Sequence, residues 1–154
     1  MKIPFNTVNA VIAAAVLVSL PVSCKEARSD ETWMVATVRS YHYERGVSGR
    51  CEDNYGLGIE HHIGSDYSLS AGEYKNSFCD RSYYVGGGWF PIHQGNWHFG
   101  TNLGVVTGYE RHDPAGFLVL GATYQAKDWG VNIGVVPSRD RPFTVIGLQV
   151  KRKF

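Results

Sequence analysis

Between Trp97 and Val106 the chain places Trp97, Phe99, Leu103 and Val105 on one face of an extended strand and His98, Gly100, Asn102 and Gly104 on the other. Tyr55 to Ile63 repeats the pattern, with Tyr55, Leu57, Ile59 and Ile63 opposed to Gly56, Gly58, Glu60 and His62. Successive side chains of a strand point to opposite faces, so a period of two defines two surfaces. Here one surface is aromatic and branched, and the other carries glycine and polar residues. Such a pairing suits a closed sheet whose outer face meets lipid and whose inner face fills a lumen.

The same periodicity, cut by turn residues, gives eight predicted strands: Thr32–Tyr43, Tyr55–Ile63, Tyr67–Asn76, Ser82–Phe90, Trp97–Val106, Ala115–Gln125, Gly130–Val136 and Phe143–Phe154. Turns are expected at Gly64-Ser65-Asp66, at Pro91 to Asn96 and at Lys127-Asp128. No stretch carries helical periodicity, while 18 glycines accompany 13% aromatic residues. The expected fold is therefore all-β, an eight-stranded antiparallel up-and-down transmembrane β-barrel. Trp33, Tyr67, Trp89, Trp97, Trp129 and Phe154 are candidates for the aromatic girdles, with ordinary core packing as the alternative.

The 154 residues make one domain. Residues 1–24 read as an export signal, with Lys2 ahead of an apolar run from Ala10 to Val22 that is too short for a comfortable transmembrane helix. Cleavage is expected after Cys24 or near Ala27; the alternative is lipidation at Cys24, although the leucine of that motif stands one position early. Residues 25–31 form a short linker, and 32–154 form the barrel. A net charge of +1 gives no electrostatic case for a nucleic-acid partner. Cys51 and Cys79 are candidates for a disulfide or for two unpaired thiols, and neither has a second ligand at zinc spacing.

If the chain starts on the periplasmic side, the loops after the odd-numbered strands share the external rim. That places His42, Asn76, Ser77, Cys51 and Cys79 together, which favours the disulfide. A serine hydroxyl becomes a useful nucleophile when an imidazole takes its proton and a third group orients the imidazole. Ser77, His42 and Asn76 are the candidates for those roles, against the plainer reading of Ser77 as a turn residue. His61 and His62 point to opposite faces, and His93 and His98 belong to the far rim. His112 lies in a charged loop with Arg111, which is a candidate for lipid phosphate. Gly86-Gly87-Gly88 is no phosphate loop, because no helix follows it.

From Tyr55 to Phe154 the order of several short pieces resembles the lipid A palmitoyltransferase (PagP) family: Gly56-Leu57-Gly58, Glu73-Tyr74-Lys75-Asn76-Ser77-Phe78, Gly86-Gly87-Gly88-Trp89, Asn96-Trp97-His98-Phe99-Gly100 and Val135-Val136-Pro137. The resemblance implies an outer-membrane barrel that moves a palmitoyl-like chain from a phospholipid to lipid A without a cofactor, working as a monomer. Ser77 matches the family serine and His42 the family histidine. Asn76 stands where the family has aspartate. Gly88 falls at the glycine that limits acyl-chain length, and Pro114 and Pro137 resemble prolines that open the wall to lipid. The family's helix before the barrel has no counterpart of sufficient length here. Two other functions fit the scaffold: a non-catalytic outer-membrane barrel with a lipid or surface role, and a soluble lipocalin-like binder, which the apolar outer face disfavours.

Overall fold

The computed structural model describes residues 30–42, 51–109, 113–137 and 145–154. Eight antiparallel strands follow in sequence order: β1 (Glu31–His42), β2 (Gly56–Ile63), β3 (Tyr67–Lys75), β4 (Arg81–Gln94), β5 (Trp97–Val106), β6 (Ala115–Gln125), β7 (Trp129–Val136) and β8 (Val145–Lys153). Each pairs with its neighbours, and β1 pairs with β8 to close the barrel. The predicted export signal, most of the linker, Arg111 and the start of the eighth predicted strand lie outside the described residues.

Closure leaves no free sheet edge, and the alternation then sorts side chains without a conventional apolar core. Leu57, Leu69, Val85, Leu103 and Leu120 are each about half exposed on the outer wall. The buried residues are mostly polar and face inward: Glu60, His62, Ser68, His98, Thr123, Gln125 and Lys151. A sheet with its apolar face outward and its polar face sealed inside is built for a hydrocarbon surround.

Two expectations need correction. Trp33 is not a girdle residue: it is fully buried in the lumen, beneath Lys151, whose Nζ stands 5.2 Å from its ring centre. Its position on β1 shares the inward face with Val35. Tyr67, Trp97, Trp129 and Phe154 are exposed on the outside, and Trp89 is half-buried. Pro91 does not begin a turn either, because β4 runs through it to Gln94. The β4–β5 register shifts between Trp89 and Ile92, and an irregularity of this kind tolerates a proline without a ladder donor. The turn is the two-residue Gly95-Asn96, where Gly95 has φ 61°.

A second irregularity decides the chemistry of the upper rim, the rim where β1, β3, β5 and β7 end. Along β1, Thr37 pairs with Gln149 and Arg39 with Leu148, so Val38 is an extra residue. The bulge reverses the alternation. Below it Trp33 and Val35 are buried inside; above it Arg39 is exposed and His42 is buried. Were β1 regular through Val38, with every residue paired, His42 would face outward.

Candidate active site

Ser77 sits on the β3–β4 tip, which is fastened from several sides. Asn76 N–H donates to Asp80 O at 2.7 Å, Cys79 N–H donates to Asn76 O at 3.0 Å, and Cys79 adopts φ 70°. Cys51 and Cys79 are joined by a disulfide, with Cα atoms 5.4 Å apart. Beside it, Cys51 N–H donates to the carbonyl of Ser77 at 2.9 Å. Asn54 is buried and bonds across to Lys75 O at 2.7 Å through Nδ2, while its side-chain oxygen meets Ser40 Oγ.

This scaffold brings Ser77 Oγ to 2.7 Å from His42 Nε2. His42 is buried and Ser77 is partly open. With the imidazole neutral and its proton on Nδ1, Nε2 accepts the serine hydroxyl's proton in a hydrogen bond. That is the ground-state geometry of a hydroxyl poised for deprotonation.

Asn76 does not hold His42. Its side chain is fully buried and completely used elsewhere: Nδ2 donates to Ser82 Oγ at 3.0 Å and to Gly108 O at 2.8 Å, and Oδ1 accepts from Phe78 N at 2.8 Å and Asp80 N at 3.1 Å. An amide offers two donors and one two-lone-pair acceptor, so no capacity remains for an imidazole. Asn76 is the keystone of the tip and acts on Ser77 through the backbone.

Around the β3–β4 tip, aromatic side chains that sequence reasoning left unassigned come together. The Tyr74 and Tyr109 hydroxyls lie 3.0 Å apart, Phe78 meets Tyr109 edge-on, and Tyr84 bonds to Gln149. Tyr74 and Tyr84 share the inward parity of Asn76 and Ser82, a signal that the alternation did contain. Lower down lies a polar layer. Lys151 Nζ donates to Glu60 Oε1 at 2.5 Å, His62 Nε2 stands 2.5 Å from the same oxygen, and Asn132 Nδ2 donates to Glu60 Oε2 at 2.8 Å. Gln149 Nε2 donates to Thr37 Oγ1 at 3.1 Å.

The inward glycines divide into distinct kinds. A Cβ on Gly72 would strike the backbone of Leu57 and Gly58, so that glycine allows adjacent strands to approach closely. Gly88 faces the lumen, but a Cβ there would run into Ser68, Asn102 and Phe90, at the top of the polar layer. Gly147 differs, because a Cβ there has no described atom within 4 Å. It pairs with Ser40, two residues below His42, and with Gly134. The open space therefore lies beneath His42, on the β7–β8–β1 side of the lumen, above Gln149.

Next to this space the described β6–β7 ladder is short. Pairing of β6 with β7 begins at Leu120 and Val135, leaving Ala115 to Val119 without a β7 partner among the described residues. Both prolines lie at the upper rim, Pro137 directly after β7 and Pro114 directly before β6. Of the remaining candidates, His61 bonds to Thr32 and His93 stacks on His98 with ring centres 4.3 Å apart, both away from Ser77.

No protein-family model and no curated protein sequence matches the chain. Among solved structures, a chain described under "De novo design of transmembrane beta-barrels" superposes with a TM-score of 0.62 at 14% identity, covering 84% of this chain and 100% of the other. The likeness extends to the fold alone. The protein is an eight-stranded closed antiparallel barrel of the transmembrane type.

Proposed function

We propose that the protein is an outer-membrane acyltransferase that moves a fatty acyl chain from a phospholipid to lipid A or a similar acceptor. The observation that carries this reading is the 2.7 Å contact between Ser77 Oγ and His42 Nε2 at the upper rim, above an open stretch of lumen. In the transfer, the ester bond of the donor breaks and an ester forms on the acceptor hydroxyl. The proton that this hydroxyl gives up finishes on the lysophospholipid. Ser77 and His42 handle that proton, and the balance requires no redox partner. Asn76 serves by fixing the tip, in place of the orienting role expected from its position beside Ser77. The open stretch beneath His42 gives a lipid tail room to bury itself, and each methylene buried contributes about 0.8 kcal/mol.

The reading is tested by expressing the chain in a bacterial host with a lipid A outer leaflet and weighing the lipid A by mass spectrometry. Wild type is expected to add one acyl mass, and Ser77→Ala and His42→Ala to add none or at most about a hundredth as much, since proton handling contributes about 10²–10⁴-fold. No added mass from a correctly inserted wild type points instead to a non-catalytic barrel.

A further inference from the structure

We propose that the Cys51–Cys79 disulfide is a positioning device for Ser77, so that the His42–Ser77 pair assembles only where disulfides form. This inference rests on the reading of the pair as reactive, but its geometric content can be measured separately. His42 ends β1, and Cys51 stands in the described segment that returns toward β2. The disulfide fixes that segment to the tip two residues beyond Ser77. On the near side of the same tip, Cys51 N–H holds the Ser77 carbonyl at 2.9 Å. Ser77 is thus gripped from both sides by one residue of the opposite loop, by a hydrogen bond to its own backbone and by a covalent bond to Cys79.

Asn76 alone does not supply this grip. Its four hydrogen bonds tie the tip inward to Ser82 and Gly108 and fold the turn on itself, but none reaches the β1–β2 side where His42 stands. Among the described residues, the fastening across that side includes the disulfide with its adjoining Cys51 hydrogen bond and, farther from Ser77, the bonds of Asn54 and Tyr55 to Lys75 and the β2–β3 ladder. Reduction by a dithiol converts the bridge to two thiols while the reagent becomes a cyclic disulfide. The barrel ladders contain neither cysteine and are not broken by that step.

The full chain, folded into phosphatidylcholine vesicles, tests this with two readouts. The first is labelling of Ser77 by a fluorophosphonate, in which an oxygen–phosphorus bond forms, fluoride leaves and His42 takes the hydroxyl proton; Ser77→Ala gives the background. The second is the nitrogen NMR signal of the His42 imidazole, assigned by His42→Gln and compared with Ser77→Ala. Reduction of wild type is expected to slow labelling at least tenfold and to move the His42 signal to its Ser77→Ala position. Heat-modifiable gel mobility is expected to stay that of a folded barrel, and reoxidation to restore both readouts. The Cys51→Ser/Cys79→Ser variant is expected to match reduced wild type; if it does not fold, reduction of prefolded wild type decides. An unchanged His42 signal after complete reduction overturns the inference. A signal that moves in a protein whose Ser77 never labels upholds the positioning role and removes support from the transferase reading.

Discussion

The side-chain amide of Asn76 donates to the carbonyl of Gly108 across 2.8 Å, fastening the β3–β4 tip to the segment after β5. Gly108 has φ 84° and lies so close that a Cβ there would meet Ser82 Oγ and Asn76 Nδ2. Asparagine is therefore required by its own surroundings. Asn76→Asp would set a carboxylate against the Gly108 carbonyl and remove the donor, a loss of about 1–3 kcal/mol for a buried group left unmatched. The expected result is a lower unfolding midpoint in urea together with weaker lipid A acylation. Higher activity in Asn76→Asp would mean that the position works as a catalytic carboxylate after all.

Glycines at 88 and 147 should respond oppositely to added bulk. Gly88→Ala forces a methyl into Ser68, Asn102 and Phe90, and overpacking of this kind costs about 1–3 kcal/mol. Gly147→Ala meets no described atom and should leave the unfolding midpoint where it is. Gly147→Met, filling the space two residues below His42, should shorten the preferred acyl chain, since each methylene is discriminated by about 1–3 kcal/mol. Mass spectrometry of the product lipid with mixed-chain donors reads the shift directly; an unchanged chain-length profile in an active Gly147→Met protein removes this wall from the binding site.

The barrel was legible because lipid on one side and a polar lumen on the other enforce the period of two at every strand. Tyr55 to Ile63 and Trp97 to Val106 sort inward and outward as their alternation predicts. The pairing of His42 with Ser77 was only half legible. Both belong to one rim by topology, yet the direction in which His42 points depends on the extra residue at Val38, which leaves no local signature in the sequence. Asn76 was misread for a different reason. Adjacency to Ser77 suggested a role in orienting the imidazole, whereas its partners Ser82 and Gly108 come from other segments of the chain. The glycines looked alike in sequence, and only the neighbouring strands distinguish Gly72, which admits backbone, from Gly147, which faces open space.

The bulge makes a sharp prediction of its own. Deleting Val38 should restore regular alternation between Thr37 and Arg39 with the same β8 partners, and His42, then four positions beyond inward-facing Thr37, should stay in the lumen. The barrel should still form, as the lower β1–β2 and β1–β8 ladders are untouched. Acylation should stay well above the level of His42→Ala, with heat-modifiable mobility retained. A fall to the His42→Ala level in a folded deletion variant would show that the bulge does more than set which residues of β1 face inward.

The polar layer supports the barrel from inside, and its central ion pair is separable from the reaction. Lys151 Nζ is fully buried against Glu60 Oε1 at 2.5 Å, and the other oxygen of Glu60 accepts from Asn132. Lys151→Met removes the cation and leaves a carboxylate in a sealed lumen, and breaking a buried pair from one side costs about 3–5 kcal/mol. Removing both charges with Glu60→Gln/Lys151→Met eliminates the stranded anion, while the introduced amide oxygen can still accept from Asn132, so most of that loss should return. A double-mutant cycle on urea unfolding of the vesicle-folded protein, with Glu60→Gln as the fourth corner, checks the coupling. Additive losses would mean that water or His62 already compensates Glu60. The acyl chain-length preference should not change in the double variant, because Gly147 and the space beneath His42 lie above this layer.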